Sequence, residues 1–217
     1  MNQSRTLLQL ALDTVDLPGA RTLLDTVRDL IDIVEIGTPL IIREGLRAVT
    51  EIDRAYPELV VLADLKIMDA GEYEAALAFD AGADIVTTLA VAYDATIRGA
   101  VLAAKSFDTK VMADLMAVNA LADRVETLEA LGVDIVCVHT ATDTLGEGHD
   151  GTAGLRLLRT QPRRAKVAVA GGLTPDGLTA LIPHRPDIVI VGSYITRHSS
   201  PAEAARTIRT RLEEAGL

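Results

Sequence analysis

Short apolar runs alternate with helically spaced stripes along the chain. Eight runs read as buried strands: Leu7–Leu12, Ile33–Ile36, Val60–Ala63, Ile85–Leu89, Val111–Leu115, Ile135–Val138, Val167–Ala170 and Ile188–Val191. They are apolar at nearly every position, as strands covered on both faces are. Between them, Leu17, Ala20, Leu23, Leu24, Val27 and Leu30 share one helical face, and Leu121, Val125, Leu128 and Leu131 share another. Pro18, Pro175 and Pro201 suit first-turn positions, where a missing N–H leaves nothing unpaired. Asp32, Asp84, Asp134 and Asp187 each stand immediately before a run, about 50 residues apart. Gly82 and Gly132 precede two of them at the expected helix ends. A repeat of that length is two βα units. Four repeats predict a single (β/α)8 TIM barrel over residues 1–217, with no linker marking a second domain. A doubly wound open sheet is the alternative, which eight evenly spaced strands disfavour.

Composition sharpens this picture in three ways. There is no Trp and there are only two Phe among 217 residues, so the core is built from Val, Ile, Leu and Ala. The net charge is −10 and no basic stripe appears, which makes nucleic acid and anionic membranes poor partners. The lone Cys137 lies inside an apolar run and reads as a small buried hydrophobe rather than a nucleophile. One cysteine excludes an internal disulfide, so a reducing, cytoplasmic setting is expected. The N-terminus carries no export signal pattern, and no apolar run reaches the roughly 18 residues of a membrane span.

Chemistry in a barrel sits where strands end. There the chain delivers Asp13, then Glu35 and Gly37, then Asp64, Lys66 and Asp69, then Asp114, His139, Gly171-Gly172 and Gly192-Ser193. A carboxylate such as Glu35 among apolar neighbours needs a cation or donors: either an ion pair with a lysine or a metal. Glu35 and Asp64 on neighbouring strand ends suit a hard divalent cation, Mg2+ with Mn2+ as the alternative. In extended backbone Asp64 and Lys66 point the same way, so the acid holds the ammonium charged and aimed at an oxyanion; a plain salt bridge is the bland reading. His139 is either a core histidine or a general acid–base near neutral pH. His149, His184 and His198 read as surface residues. Asp13 either caps the first helix or binds a substrate hydroxyl, and Asp114 is similar with a weaker claim. The two glycine turns offer bare N–H groups to a phosphate.

Several stretches together resemble the 3-hexulose-6-phosphate synthases of the orotidine 5′-phosphate decarboxylase superfamily. They are Val34–Thr38, Glu44–Val49, Leu62–Gly71, Val136–Thr140 and Ala170–Gly172. The similarity runs from about Leu8 to Arg209. It implies an aldol reaction of D-ribulose 5-phosphate with formaldehyde, giving D-arabino-3-hexulose 6-phosphate. It further implies Mg2+ and a homodimer with shared active sites, Asp69 reaching the partner's site. Glu35 and Asp64 would hold the metal, and Lys66 would steady the enediolate oxygen. His139 would move the proton at C1, Asp13 would bind hydroxyls, and the glycine turns would hold phosphate. The related 3-keto-L-gulonate-6-phosphate decarboxylases show an arginine three positions after their histidine, where this chain has Thr142. They show another after the last phosphate glycine, where it has Ser193. Arg197 is a candidate to help there. The missing arginine at Thr142 counts against the decarboxylase, and Ser193 leaves phosphate binding to backbone amides. A ketose-phosphate epimerase or a non-catalytic sugar-phosphate sensor are further alternatives. The stretch 142–151, with Gly146, Gly148 and Gly151, is a candidate closing element.

Overall fold

The computed structural model describes residues 5–13, 15–145, 151–160 and 163–217. Its strands are β1 (Leu7–Leu12), β2 (Ile33–Ile36), β3 (Val60–Ile67), β4 (Ile85–Leu89), β5 (Lys110–Asp114), β6 (Ile135–His139), β7 (Lys166–Ala170) and β8 (Ile188–Val191). They run parallel in sequence order and close into a barrel, β8 pairing with β1. The helices among the described residues are α1 (Leu17–Val27), α2 (Thr38–Glu44), α3 (Arg47–Ala55), α4 (Gly71–Asp80), α5 (Asp94–Phe107), α6 (Leu121–Leu131), α7 (Gly151–Leu158), α8 (Pro175–Leu181), α9 (Ser193–Thr196) and α10 (Pro201–Glu214). None is long and apolar enough to cross a membrane.

The (β/α)8 expectation holds, and every predicted strand is present. Pro18, Pro175 and Pro201 open helices as expected. Leu17, Ala20, Leu23, Leu24 and Val27 bury the predicted face of α1. The clearest boundary difference is at β3, which continues through Asp64 and Lys66 to Ile67.

Strand register sorts the inward-facing residues into layers of four, each drawn from alternate strands. The lowest holds Leu7, Val60, Lys110 and Lys166. Above it lies a ring of Ile33, Ile85, Ile135 and Ile188, and then Gln9, Leu62, Met112 and Ala168. The fourth layer brings Glu35, Thr87, Cys137 and Ile190, and the fifth Ala11, Asp64, Asp114 and Ala170. Two lysines close the exposed N-terminal rim, the layers above them are apolar apart from Gln9, and carboxylates gather only towards the strands' C-terminal ends. Outward-facing strand residues such as Leu8, Val61, Val111 and Val189 meet the helices in a second apolar cluster.

The aspartate repeat has a structural cause at the opposite end. Each aspartate precedes an even strand and accepts a backbone N–H from the strand before it: Asp32 from Leu8, Asp84 from Val61, Asp134 from Val111 and Asp187 from Val167, at 2.7–2.9 Å. Each aspartate N–H also donates to the carbonyl of that same residue. The carboxylates thus satisfy strand-end donors that lack a ladder partner. Asp32 also takes Arg209, and Asp187 takes Arg159.

Candidate active site at the barrel mouth

Asp64 is the hub of the polar upper layers. It is buried. Its Oδ1 accepts the Thr87 hydroxyl at 2.7 Å, and its Oδ2 lies 2.5 Å from Lys66 Nζ and 2.7 Å from the Thr38 hydroxyl. Burial acts against its charge, but Lys66, by charge and hydrogen bond, and the two hydroxyls hold the carboxyl below its ordinary value. Burial likewise opposes the charge on Lys66. The charge and hydrogen bond of Asp64, with Asp114 and Glu35 beyond, outweigh it and raise the ammonium's pKa. Lys66 therefore remains a cation, not a free amine.

The pair does not form through extended backbone, as the alternation of a strand predicts. Lys66 has φ +49°, and the β3–β4 register shifts between Ala63 and Ile67. The Lys66 N–H, turned out of the ladder by this bulge, donates to Thr87 Oγ1 at 2.9 Å. Ala70 also has φ +49°. Two non-glycine residues in the left-handed region within one motif cost free energy, and such strain gathers at functional sites. Gly71 follows because α4 packs closely on α5. A Cβ there would stand 1.9 Å from the Thr96 carbonyl oxygen.

His139, at the end of β6, sets Nδ1 2.7 Å from Asp114 Oδ2, whose other oxygen accepts the Met116 N–H. A carboxylate on Nδ1 selects the tautomer that leaves Nε2 as the free base. Asp114 Oδ2 also lies 3.9 Å from Lys66 Nζ, joining Asp64, Lys66, Asp114 and His139 in one chain of contacts.

Glu35 lies one layer below Asp64, buried in the barrel. Gln9 Nε2 donates to its Oε2 at 2.6 Å. Burial first, and then the charge of Asp64, push its pKa up to about 8; the Gln9 hydrogen bond works the other way. Asp13 is raised as well, by burial and then by Asp64. Its carboxylate sits so close to the β2 end that a Cβ on Gly37 would fall 2.1 Å from Oδ1.

Four carboxylates, Asp13, Glu35, Asp64 and Asp114, crowd this mouth against the Lys66 ammonium, and Glu35 forms no salt bridge among the described residues. That excess of negative charge fits a divalent cation. No group of three carboxylate, His or Cys ligands gathers among the described residues. The ion that suits is one taking one or two carboxylates from protein and its other ligands from water and substrate, as Mg2+ does.

The glycine turns lie where they were expected, at the ends of the paired strands β7 and β8. Gly171 and Gly172 have φ +106° and +61°, and a Cβ on Gly171 would stand 2.3 Å from the Thr140 carbonyl oxygen. The N–H groups of Gly171, Gly172 and Gly192 have no backbone acceptor among the described residues. Ser193 opens α9. Arg197 is exposed and has no ion-pair partner among the described residues.

Asp69 is not drawn into the cluster. It is exposed, and its Oδ1 accepts the N–H of Ala70. Cys137 is buried inside the barrel, and burial pushes its thiol pKa up, which leaves it inert. His184 and His198 lie outside the cluster, whereas His149, Gly146 and Gly148 lie outside the described residues. Sequence reasoning passed over Thr38, Thr87 and Gln9. Only their strand-end or inward register could have singled them out.

Comparison with known proteins bears on this geometry. The profile described as the orotidine 5′-phosphate decarboxylase / HUMPS family matches residues 6–208. A 3-hexulose-6-phosphate synthase of Bacillus subtilis (strain 168) is 48% identical over 202 residues, covering 93% of this chain and 96% of that protein. The crystal structure of 3-hexulose-6-phosphate synthase from Salmonella typhimurium superposes with a TM-score of 0.93 at 43% identity, over 97% of this chain and 100% of that one. KGPDC from Streptococcus mutans in complex with D-R5P gives 0.89 at 26%, over 97% and 98%.

Proposed function

The chain belongs to the orotidine 5′-phosphate decarboxylase / HUMPS family, and from that footing we propose that it is a 3-hexulose-6-phosphate synthase. It joins D-ribulose 5-phosphate to formaldehyde, reversibly, to give D-arabino-3-hexulose 6-phosphate. The observation that carries this reading is the Asp64–Lys66–Asp114–His139 chain of contacts beside the excess acid at Glu35. A permanent ammonium, a free imidazole nitrogen and a cation-poor acidic pair are the parts an enediolate needs.

His139 Nε2 takes the proton from C1 of the ketose, and Asp114 stabilises the imidazolium that forms. Lys66 donates to the oxygen on which charge develops. Because it stays protonated, it acts as an electrostatic donor and not as a Schiff-base nucleophile. The C1 carbanion equivalent then attacks the formaldehyde carbon, and the proton held by His139 passes to the new hydroxyl. Glu35 and Asp64 would hold Mg2+, which would supply positive charge where the enediolate's negative charge develops. Asp13 accepts from a substrate hydroxyl, and the N–H groups of the Gly171-Gly172 and Gly192-Ser193 turns bind the phosphate.

Loss of CO2 from a keto-acid passes through the same intermediate, so the residues around His139 separate the two reactions. Thr142, exposed beyond β6, offers no arginine for the protonation that the decarboxylase requires. Met68, Tyr73, Val91 and Tyr93 are exposed on the β3–β4 side of the mouth, next to Asp69. This apolar surface supports a homodimer in which Asp69 serves the partner's site. The test is formaldehyde consumption that requires both ribulose 5-phosphate and Mg2+; a folded, Mg2+-loaded protein that consumes none contradicts the proposal.

A further inference from the structure

Gln9 stands on β1 in the layer directly beneath Glu35, fully buried. Its register neighbours are Ile33 and Ile190, and its layer companions are Leu62, Met112 and Ala168. It is the sole polar side chain of that layer. Its Nε2 donates to Glu35 Oε2 at 2.6 Å, and its Oε1 has no hydrogen-bond partner among the described residues. A primary amide with half its capacity unmet is costly inside an apolar barrel. Leu or Met would fill the same volume without that cost, as they do on β3 and β5. The amide's one bond goes to a carboxylate that accepts no other side-chain hydrogen bond among the described residues.

We infer that Gln9 is a positioning residue: its amide fixes the Glu35 carboxylate by one oxygen and leaves the other free for the cation. A carboxylate held in one rotamer loses less entropy on binding a metal, and hydrogen-bond partners that orient a metal's ligands commonly set its affinity by about 10–100-fold. Gln9 lies one layer below Glu35 and two below Asp64, away from the mouth, so its loss acts on cation binding and spares the chemistry that follows. The inference rests on the reading of Glu35 as a cation ligand.

The experiment compares wild type with Gln9→Met and Gln9→Leu, all freed of metal by chelation. Mn2+ binding is followed by electron paramagnetic resonance, without substrate. Both variants should bind Mn2+ about 10–100-fold more weakly. Their metal-free melting temperatures should be unchanged or higher, and kcat at saturating metal should stay within a few-fold of wild type. Wild-type Mn2+ affinity in a folded variant overturns the role of Gln9 alone. No Mn2+ binding by wild type overturns the cation reading itself. Should neither variant fold, the side-chain amide of Gln9 in the native protein decides. It is one of only three glutamines, Gln3, Gln9 and Gln161, which makes its nitrogen resonance assignable. Slow hydrogen exchange and a shift on adding Mg2+ support the inference, and fast exchange without a shift contradicts it.

Discussion

Asp64→Asn removes one charge from the hub of the site and nearly nothing else. The amide oxygen can still accept from Lys66, and its NH2 can donate to the Thr87 hydroxyl, which has a lone pair to spare. The fold should therefore persist. Lys66, however, loses its nearest counter-charge and keeps only Asp114 at 3.9 Å. At an effective dielectric of about 20, a pair of unit charges about 4 Å apart is coupled by roughly 4 kcal/mol. Misplacing one oxyanion donor costs about 10²–10³ in kcat, and losing one of two cation carboxylates adds to it. We expect kcat/KM for ribulose 5-phosphate to fall by at least about 10³-fold, or roughly 4 kcal/mol. Glu35 and Asp13, by contrast, lose the charge that helps raise them, so both should titrate lower than in wild type. The assay pairs formaldehyde consumption with thermal unfolding. A folded variant with activity within tenfold of wild type would refute the assignment of Asp64.

Further expectations follow from the same geometry. Metal-free protein keeps Glu35 protonated up to about pH 8 when folded, whereas the unfolded carboxyl releases its proton near 4.5. The native state then binds more protons across that window, so stability falls as pH rises from about 5 to 8, by at most about 1.4 kcal/mol per unit. Chelator-treated melts at pH 5.5 and pH 8 should show this fall, and saturating Mg2+ should lessen it; a flat profile without metal contradicts it. Gly71→Ala places a Cβ 1.9 Å from a backbone oxygen of α5 and should destabilise by about 1–3 kcal/mol, read as a lower Tm. An unchanged Tm would mean that α4 and α5 move apart freely. Tyr93→Asp, at a side chain 83% exposed, should shift the sedimentation of the protein towards the monomer and lower its activity. Unaltered sedimentation as a dimer would place the interface elsewhere.

Barrel closure was legible in the chain because burial on both faces leaves strands nearly continuous in Val and Ile. The aspartates recur because each caps the neighbouring strand. Charged residues at the mouth were legible for the opposite reason, since they interrupt apolar runs where only chemistry or pairing justifies the cost. What escaped notice depends on backbone that no period encodes. The bulge at Lys66 re-aims the lysine and recruits Thr87 from β4. Gln9 lies inside an apolar run with nothing in its spacing to single it out, and only the register sets it beneath Glu35. Asp69 carries the motif's final acid, yet within one chain it is exposed, and its carboxylate accepts only the neighbouring Ala70 N–H among the described residues.

The most direct test of the central claim mixes purified protein with ribulose 5-phosphate, formaldehyde and Mg2+, and follows formaldehyde with and without a chelator. Consumption that needs the sugar phosphate and stops on chelation is the predicted result. Consumption unaffected by complete metal removal would contradict the roles of Glu35 and Asp64, and no consumption by folded, Mg2+-loaded protein would contradict the aldol reaction itself.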